Sequence, residues 1–301
     1  MMAYRKRLRQ RIWRFEGGQW SRKSDYMATE EPLEIQLSAG AQRETVSITM
    51  RTPGNDYELA AGFLYSEGII QAKQDVDHMI YCVDGSPMRQ EYNFLRVQLR
   101  APALPELAGL NRYFFTNSAC GVCGHTMLED LARRPLPPLP QGPVVSAETL
   151  LGLPTQLRRH QALFDETGGL HAAALFDVDG NLLALREDVG RHNALDKLVG
   201  WGLLNQNLPW PDRILMVSGR ASYELLQKCR VAGAPIFCAV SAPSSLAVTL
   251  AERFDITLVG FLRENRFNVY AGPQRIQELR STPSAMEEAG GISPAPTDSA
   301  A

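Results

Sequence analysis

The sequence predicts an α/β protein (α+β overall): a smaller N-terminal α+β domain, then a C-terminal sheet with helices on both faces. Three observations carry this. Between residues 171 and 261, short apolar strand-like runs alternate with helical stretches, the pattern of a layered, mostly parallel sheet. Between Leu33 and Leu99, strand-like alternation brackets one stretch with a helical apolar stripe. The composition, 45% hydrophobic and 21% charged over 301 residues, is that of an ordinary globular chain.

Taken in order, residues 1–30 begin with a basic run from Arg5 to Arg14 and no apolar segment follows it. The segment reads as a basic, flexible arm and not as a secretory signal; docking to an acidic partner is the sharper alternative. Residues 31–115 form the N-terminal domain. Leu33 to Met50 alternates as strand, Arg51-Thr52-Pro53-Gly54 breaks the chain, Asp56 to Leu64 is helical, and Asn93 to Leu99 is a strand. Residues 116–154 hold a loop with two cysteines, a helical stretch from Thr126 to Arg133, and the run Arg134 to Pro140, whose prolines keep it extended. Residues 155–281 form the second domain. His171–Phe176 and Leu182–Arg186 make a hairpin around Asp177–Gly180, and a helix spans Arg191–Leu204. Strands Ile214–Val217, Ile236–Val240 and Ile256–Phe261 then alternate with helices Tyr223–Val231 and Ser245–Arg253, the last strand closing the series. Residues 282–301, rich in Ser, Pro, Ala and Gly, read as a disordered tail.

A net charge of -2 and a pI near 6.2 speak against a general nucleic-acid binder. No apolar run approaches the roughly 20 residues that span a bilayer. The five cysteines, Cys82, Cys120, Cys123, Cys229 and Cys238, are an odd number without an export signal, which places the chain in the reducing cytoplasm. Cys229 and Cys238 lie in apolar segments and read as core residues, as does Cys82.

Cys120 and Cys123 differ. They sit in Asn117-Ser118-Ala119-Cys120-Gly121-Val122-Cys123-Gly124, whose glycines describe a mobile loop able to present sulfur. A structural zinc site needs four ligands, and no second pair exists; His125 leaves a partial or partner-completed site open. A c-type haem is excluded because Gly124 separates the pair from His125. A thioredoxin-like pair belongs at a strand-to-helix junction, and the preceding half does not read as β-α-β. Sulfur transfer, dithiol redox chemistry and zinc binding thus remain open, with sulfur transfer leading.

Ligands of open α/β sheets bind beyond the carboxyl ends of the strands. The residues there are Glu187 to Asn193, Ser218 to Ser222, Ser241 to Ser244, and Arg263 to Arg266. Gly190 and Gly219 let backbone amides approach an anion at a helix start, while Arg191, Arg220, Arg263 and Arg266 suit a pyrophosphate. A nucleotide-like ligand is expected.

Several of these runs together resemble one family. They are Arg51–Gly54 with Glu58–Ile70, the dithiol loop, Thr167–Ala174, Glu187–Lys197, Ser218–Ser222, Ala242–Val248, Gly260–Arg263 and Phe267–Tyr270. In this order they are similar to the FdhD family, the formate dehydrogenase accessory sulfurtransferases. The resemblance implies a sulfurtransferase that takes persulfide sulfur from a cysteine desulfurase. It passes that sulfur to the molybdenum of bis(molybdopterin guanine dinucleotide), held as cargo, with GDP-like nucleotides as mimics. Cys120 is implied as the carrier and Cys123 as its assistant, with no resident metal. The implied cofactor-binding residues are Phe261, Leu262, Arg263, Glu264, Asn265 and Arg266, joined by Arg191, His192, Asn193, Ser218, Gly219, Arg220 and Ser222. Asn193, Ser222 or Asn268 would read the base or ribose, and His192 would donate a proton or cap the core; His171 reads as structural. The expected partners are the desulfurase, the formate dehydrogenase catalytic subunit and a second copy in a homodimer, without nucleic acid or a membrane span.

The implied C-terminal fold is a cytidine-deaminase-like three-layer αβα sheet. Zinc deaminases need His-x-Glu followed by Pro-Cys-x-x-Cys. Here His171-Ala172-Ala173 lacks the glutamate and the cysteine pair precedes it, so deamination is not expected. The alternative of another class is a non-catalytic chaperone that binds the cofactor and its client enzyme.

Overall fold

The computed structural model describes residues 6–82, 92–105 and 124–280. Within the basic N-terminal segment, expected as a flexible arm, residues 7–28 form a β-hairpin. β1 (Arg7–Glu16) and β2 (Gln19–Ala28) pair antiparallel along their whole length, from Arg7 opposite Ala28 to Glu16 opposite Gln19. Gly17 and Gly18 turn the chain at φ 59° and 79°, a region that favours glycine. The residues between the charges, Ile12, Trp13, Phe15, Trp20 and Tyr26, are strand formers, and charge alone concealed that pattern.

A second sheet holds β3 (Glu31–Ala39), β4 (Gln42–Arg51), β5 (Val76–Tyr81) and β6 (Phe94–Leu99) in the order β4-β3-β6-β5. β3 and β6 run parallel; the outer strands pair antiparallel. α1 (Asp56–Glu67) covers one face, burying Leu59, Ala60, Ala61 and Leu64 against Leu33, Ile35, Leu37, Leu95 and Val97. Gly68, left-handed at φ 79°, ends the helix by donating its N–H to the last-turn carbonyls of Leu64 and Tyr65.

α2 (Gly124–Arg133), α3 (Ala147–His160) and α4 (Ala162–Thr167) lead into the largest sheet. It contains β7 (His171–Phe176), β8 (Leu182–Asp188), β9 (Ile214–Val217), β10 (Ile236–Ala239), β11 (Thr257–Arg263) and β12 (Arg266–Ala271). Their order is β12-β11-β10-β9-β7-β8, and α5 (Arg191–Leu204), α6 (Tyr223–Ala232) and α7 (Ser245–Arg253) connect the middle strands. The sheet is mixed, not mostly parallel. β9, β10 and β11 are parallel, but β7 opposes both β8 and β9, and β12 opposes β11. The short links of the β7–β8 and β11–β12 hairpins permit only antiparallel pairing. β12 also extends the sheet past the strand expected to close it, its Phe267 and Val269 packing on the α3 side and its Ala271, past a bulge, on the other.

Period-two alternation divides the strand residues between two cores. Ala173, Leu175, Leu215, Val217, Phe237 and Ala239 meet α5, α6 and α7. Ala172, Ala174, Phe176, Ile214, Met216, Ile236 and Cys238 meet Leu150, Leu153 and Leu157 of α3. α3 runs across the boundary expected at residues 154–155; its start is fixed by Ser146, whose hydroxyl accepts the Thr149 N–H. The proline-rich run before it is bound to the body. Arg134 donates to the Ser66 carbonyl at 2.6 Å, Arg230 to that of Pro137 at 2.7 Å, and buried Arg275 to that of Pro140 at 2.6 Å.

Cys229 and Cys238 are fully buried, and burial pushes both thiols far up from their ordinary pKa. Since the thiolate is the nucleophile, both should resist alkylation. Iodoacetamide applied to the native protein at pH 8 is expected to leave them unmodified until denaturant is added. Peptide mapping that finds either labelled in the native state contradicts the packing.

The halves join through α1 and α5. Gly62 and Gly200 lie where the helices meet, each facing the other helix's backbone. Beside this contact, Thr52 donates its N–H to Asp188 at 3.1 Å and its hydroxyl accepts the Val189 N–H. Lys197, 2% exposed, donates to the Thr52 carbonyl at 2.8 Å and pairs with fully buried Asp188 at 2.6 Å. The run from Glu187 to Lys197 is therefore first an interlock with the Arg51–Gly54 break.

Candidate functional site

β8 through β11 point their carboxyl ends to one edge of the sheet, and β7 begins there. At this edge opens a cavity of about 1060 Å³, large enough for a nucleotide-sized ligand. One wall is Leu157 and Arg158 of α3 with Phe164 of α4. The floor is Gly168 to His171, Ser218 and Val240. The far wall is Arg263, Glu264, Asn265 and Arg266 at the β11–β12 turn.

The charge of this lining is mainly positive. Arg158, Arg263 and Arg266 share the lining with one carboxylate, Glu264, which accepts a hydrogen bond from Thr155 at 2.7 Å. Arg158 pairs with Asp165, its guanidinium 4.7 Å from the Phe164 ring centre. Arg263 is oriented by the carbonyls of Val240 and Leu262. Ser218 is fixed in both directions: its hydroxyl accepts the Ala172 N–H at 2.9 Å, and its own N–H donates to the Ala172 carbonyl at 2.9 Å. Such fixed guanidinium groups around a concave site suit an anion, above all a phosphate or pyrophosphate.

The expected site residues separate into three groups. Ser218, Arg263, Glu264, Asn265 and Arg266 line the cavity. Arg191, His192, Gly219, Arg220 and Ser222 lie at the starts of α5 and α6 beside it. Gly219 is close to both His171 and Arg191, and Arg191 Nε is buried without a hydrogen-bond partner among the described residues. His192 stands 3.4 Å from the Ser222 hydroxyl and 3.7 Å from Glu224, while Arg220 is exposed. Neither Gly190 nor Ser222 caps its helix with a side chain, and at the start of α6 the Glu224 carboxylate accepts from its own N–H and from the Ser222 hydroxyl.

The third group does not line the cavity. Asn193, expected to read a base or ribose, has its amide occupied: Nδ2 donates to the Met50 carbonyl at 2.8 Å and to Asp188 at 3.2 Å, and Oδ1 accepts from Thr49. Leu262 is buried in the core beneath α3. Phe261 is 38% exposed at φ 51°, its N–H donating to Ser241, and is not part of the cavity lining. Cys120 and Cys123, the expected sulfur carriers, lie outside the described residues. Among the described residues no group of three or more His, Cys, Asp or Glu is arranged to hold a metal ion, and no helix is long and apolar enough to cross a membrane.

Sequence reasoning missed one wall and all of the floor but Ser218. Arg158 and Phe164 belong to helices not recognised as such, although Ser146 and the spacing of Leu150, Leu153 and Leu157 carry the signal. His171, read as structural, lines the cavity half-buried. Burial lowers its pKa, reinforced by the positive charge of Arg191 and of His192 against the opposing pull of Asp188. The imidazole is therefore neutral at pH 7. Because the folded pKa lies below the unfolded value of about 6.5, the unfolded chain takes the proton first, and this histidine's contribution is lost as pH falls below that value. An NMR titration is expected to place the His171 midpoint below about 6.5; a midpoint above it contradicts the described environment.

Three comparisons bear on this geometry. The model of the FdhD/NarQ family matches residues 28–277. The sulfur carrier protein FdhD of Mycolicibacterium paratuberculosis is 50% identical over 271 residues, 89% of this chain and 98% of that protein. The protein of the same name from Streptomyces coelicolor is 49% identical over 278 residues, covering 89% and 95%. A solved structure described as a formate dehydrogenase accessory protein, from Desulfotalea psychrophila, superposes with a TM-score of 0.69 at 25% identity, covering 90% of this chain and all of that one.

Proposed function

The chain belongs to the FdhD/NarQ family, and on that premise we propose that it is a cytoplasmic sulfurtransferase serving formate dehydrogenase. Cys120 takes persulfide sulfur from a cysteine desulfurase and delivers it to the molybdenum of bis(molybdopterin guanine dinucleotide). The Cys120 thiolate attacks the outer sulfur of the donor persulfide, the donor's S–S bond breaks, and the donor cysteine leaves as thiolate. Cys123 closes on Cys120 when that sulfur departs as sulfide, supplying the two electrons as the pair becomes a disulfide.

The observation that carries this reading is the arginine-lined cavity at the sheet edge. Arg158, Arg263 and Arg266 hold the diphosphate of a guanine dinucleotide half, with Arg191 at the start of α5 beside them. Neutral His171 leaves the floor without a fixed charge. The relatives named sulfur carriers support the sulfur step, and the formate dehydrogenase accessory neighbour supports the client. The C-terminal sheet is read as cytidine-deaminase-like in its layering, and the protein as a homodimer.

The test has two parts. After incubation with a desulfurase and cysteine, intact-protein mass spectrometry is expected to show one added sulfur on the parent and none on Cys120→Ala; equal loading of both refutes the carrier assignment. Calorimetry with GDP is expected to show binding that weakens about tenfold or more in Arg263→Ala/Arg266→Ala, from loss of charge-assisted hydrogen bonds. If the double alanine variant at Cys120 and Cys123 still matures formate dehydrogenase, the protein is a chaperone and not a sulfurtransferase.

A further inference from the structure

A two-stranded ribbon is marginally stable in water, yet β1 and β2 extend for ten residues each, anchored at their base. There Thr29 donates to the Lys6 carbonyl, Arg7 pairs with Glu166, and β2 packs on α4. The two faces of the ribbon differ in kind. Directly opposed residues share a face and successive residues alternate. One face thus carries Arg14 with Asp25 at 3.5 Å and Lys23 with Glu16 at 3.4 Å, which accounts for both acids of the hairpin.

The other face has arginines and aromatic rings and no carboxylate. Arg9, Arg11 and Arg22 stand among Trp13, Phe15 and Trp20, which are 60%, 59% and 67% exposed. The Arg22 guanidinium lies 4.7 Å from the Trp13 ring centre, and the Phe15 and Trp20 rings are 5.2 Å apart. Arginine and tryptophan are the residues that dominate binding energy at protein interfaces. Residues 6–28 hold seven of the chain's 31 Lys and Arg but two of its 33 Asp and Glu, so the remainder is net acidic. The hairpin also precedes the stretch that the family model matches, which starts at residue 28.

Position selects the partner. α4 supports the hairpin, with Gly169 beside Ala28, and the same segment supplies Phe164, Gly168 and Gly169 to the cavity. A protein gripped by the ribbon is therefore tied through α4 to the segment that lines part of the cavity. We propose that the Arg9–Arg11–Trp13–Trp20–Arg22 face is a docking surface for an acidic face of the enzyme that receives the cargo. Naming that enzyme as formate dehydrogenase rests on the function proposed above. Single-stranded nucleic acid also stacks on such rings, so oligo(dT) is the competing ligand in the test.

The test uses the full-length protein and the immobilised catalytic subunit of formate dehydrogenase. Arg9→Glu/Arg11→Glu and Arg14→Glu/Lys23→Glu change the charge equally, on opposite faces. The first is expected to weaken binding at least about tenfold and the second less than about threefold, because contact pairs and not net charge decide complex lifetime. Trp13→Ala/Trp20→Ala, which leaves charge intact, is expected to weaken it about tenfold as well. Equal loss from both charge pairs, no loss from either, a parent that does not bind the enzyme, or tighter binding of oligo(dT) than of the enzyme overturns the inference. GDP affinity is measured in parallel and is expected to be the same in all variants. A parent that docks through this face yet ignores GDP refutes the cavity reading and leaves the docking surface standing.

Discussion

Alanine at Gly62 or Gly200 is expected to cost more stability than any other single methyl group in the α1–α5 contact, about 3 kcal/mol or more. A Cβ on Gly62 would lie 1.8 Å from the Asp196 carbonyl oxygen, and one on Gly200 1.8 Å from that of Glu58. Both obstacles are backbone, so no side chain can rotate away; the helices must separate. Separation also stretches the hydrogen bond from Ser66 to Asp196 at 3.3 Å and the paired contacts of Arg186 with Glu58. For a chain of this size the loss corresponds to a Tm lower by about 6–12 °C. Gly152→Ala is the control: it is exposed within α3 with nothing within 4 Å of its added methyl, and is expected to be neutral or stabilising by about 0.5–1 kcal/mol. Urea denaturation measures all three. If Gly62→Ala unfolds at the parent's midpoint, the helices do not approach as described.

Lys197→Met is expected to rank second, at about 3–5 kcal/mol, because it leaves the buried Asp188 carboxylate without its countercharge. Asp188 is fully buried and keeps three donors, the N–H groups of Thr52 and Gly190 and the amide of Asn193, but none is a cation. The Thr52 carbonyl also loses its 2.8 Å donor. Asp188→Asn/Lys197→Met should then be less destabilised than the sum of its single variants, by about 1 kcal/mol or more, since neither charge remains to be stranded. Full additivity in denaturant titrations would mean that the two groups do not interact. Both substitutions are also expected to weaken GDP binding, because Asp188 fixes Gly190 immediately before Arg191 and the start of α5.

The sequence made the middle of the molecule legible where burial is continuous. β7 to β11 are short apolar runs bounded by glycine or polar residues, and α5 to α7 fill the intervals between them. Strand direction was less accessible, since the hairpins at both ends of the sheet reverse what the βα alternation alone suggests. The first hairpin was hidden by charge: seven basic residues outweighed the alternating aromatics that make it a ribbon. Asn193 and Asp188 show a different limit. They sit among residues with the chemistry of a nucleotide site, but their partners Met50 and Thr52 lie more than 130 positions earlier in the chain. Only the folded chain shows that these side chains are already occupied. Arg263 to Arg266, by contrast, were readable from their place after a strand and do line the cavity.

The α1–α5 contact also imposes a schedule on synthesis. When α1 leaves the ribosome, the backbone that Gly62 must meet has not been made; Gly200 follows 138 residues later. At about 5–20 residues per second that interval is on the order of 10 s. Through it, the helix face that will bury against α5, and Arg186's future partner Glu58, stay open to solvent and to neighbouring nascent chains. Production of this protein should therefore respond to trigger-type chaperones and to slower translation before residue 200 more than its final stability suggests.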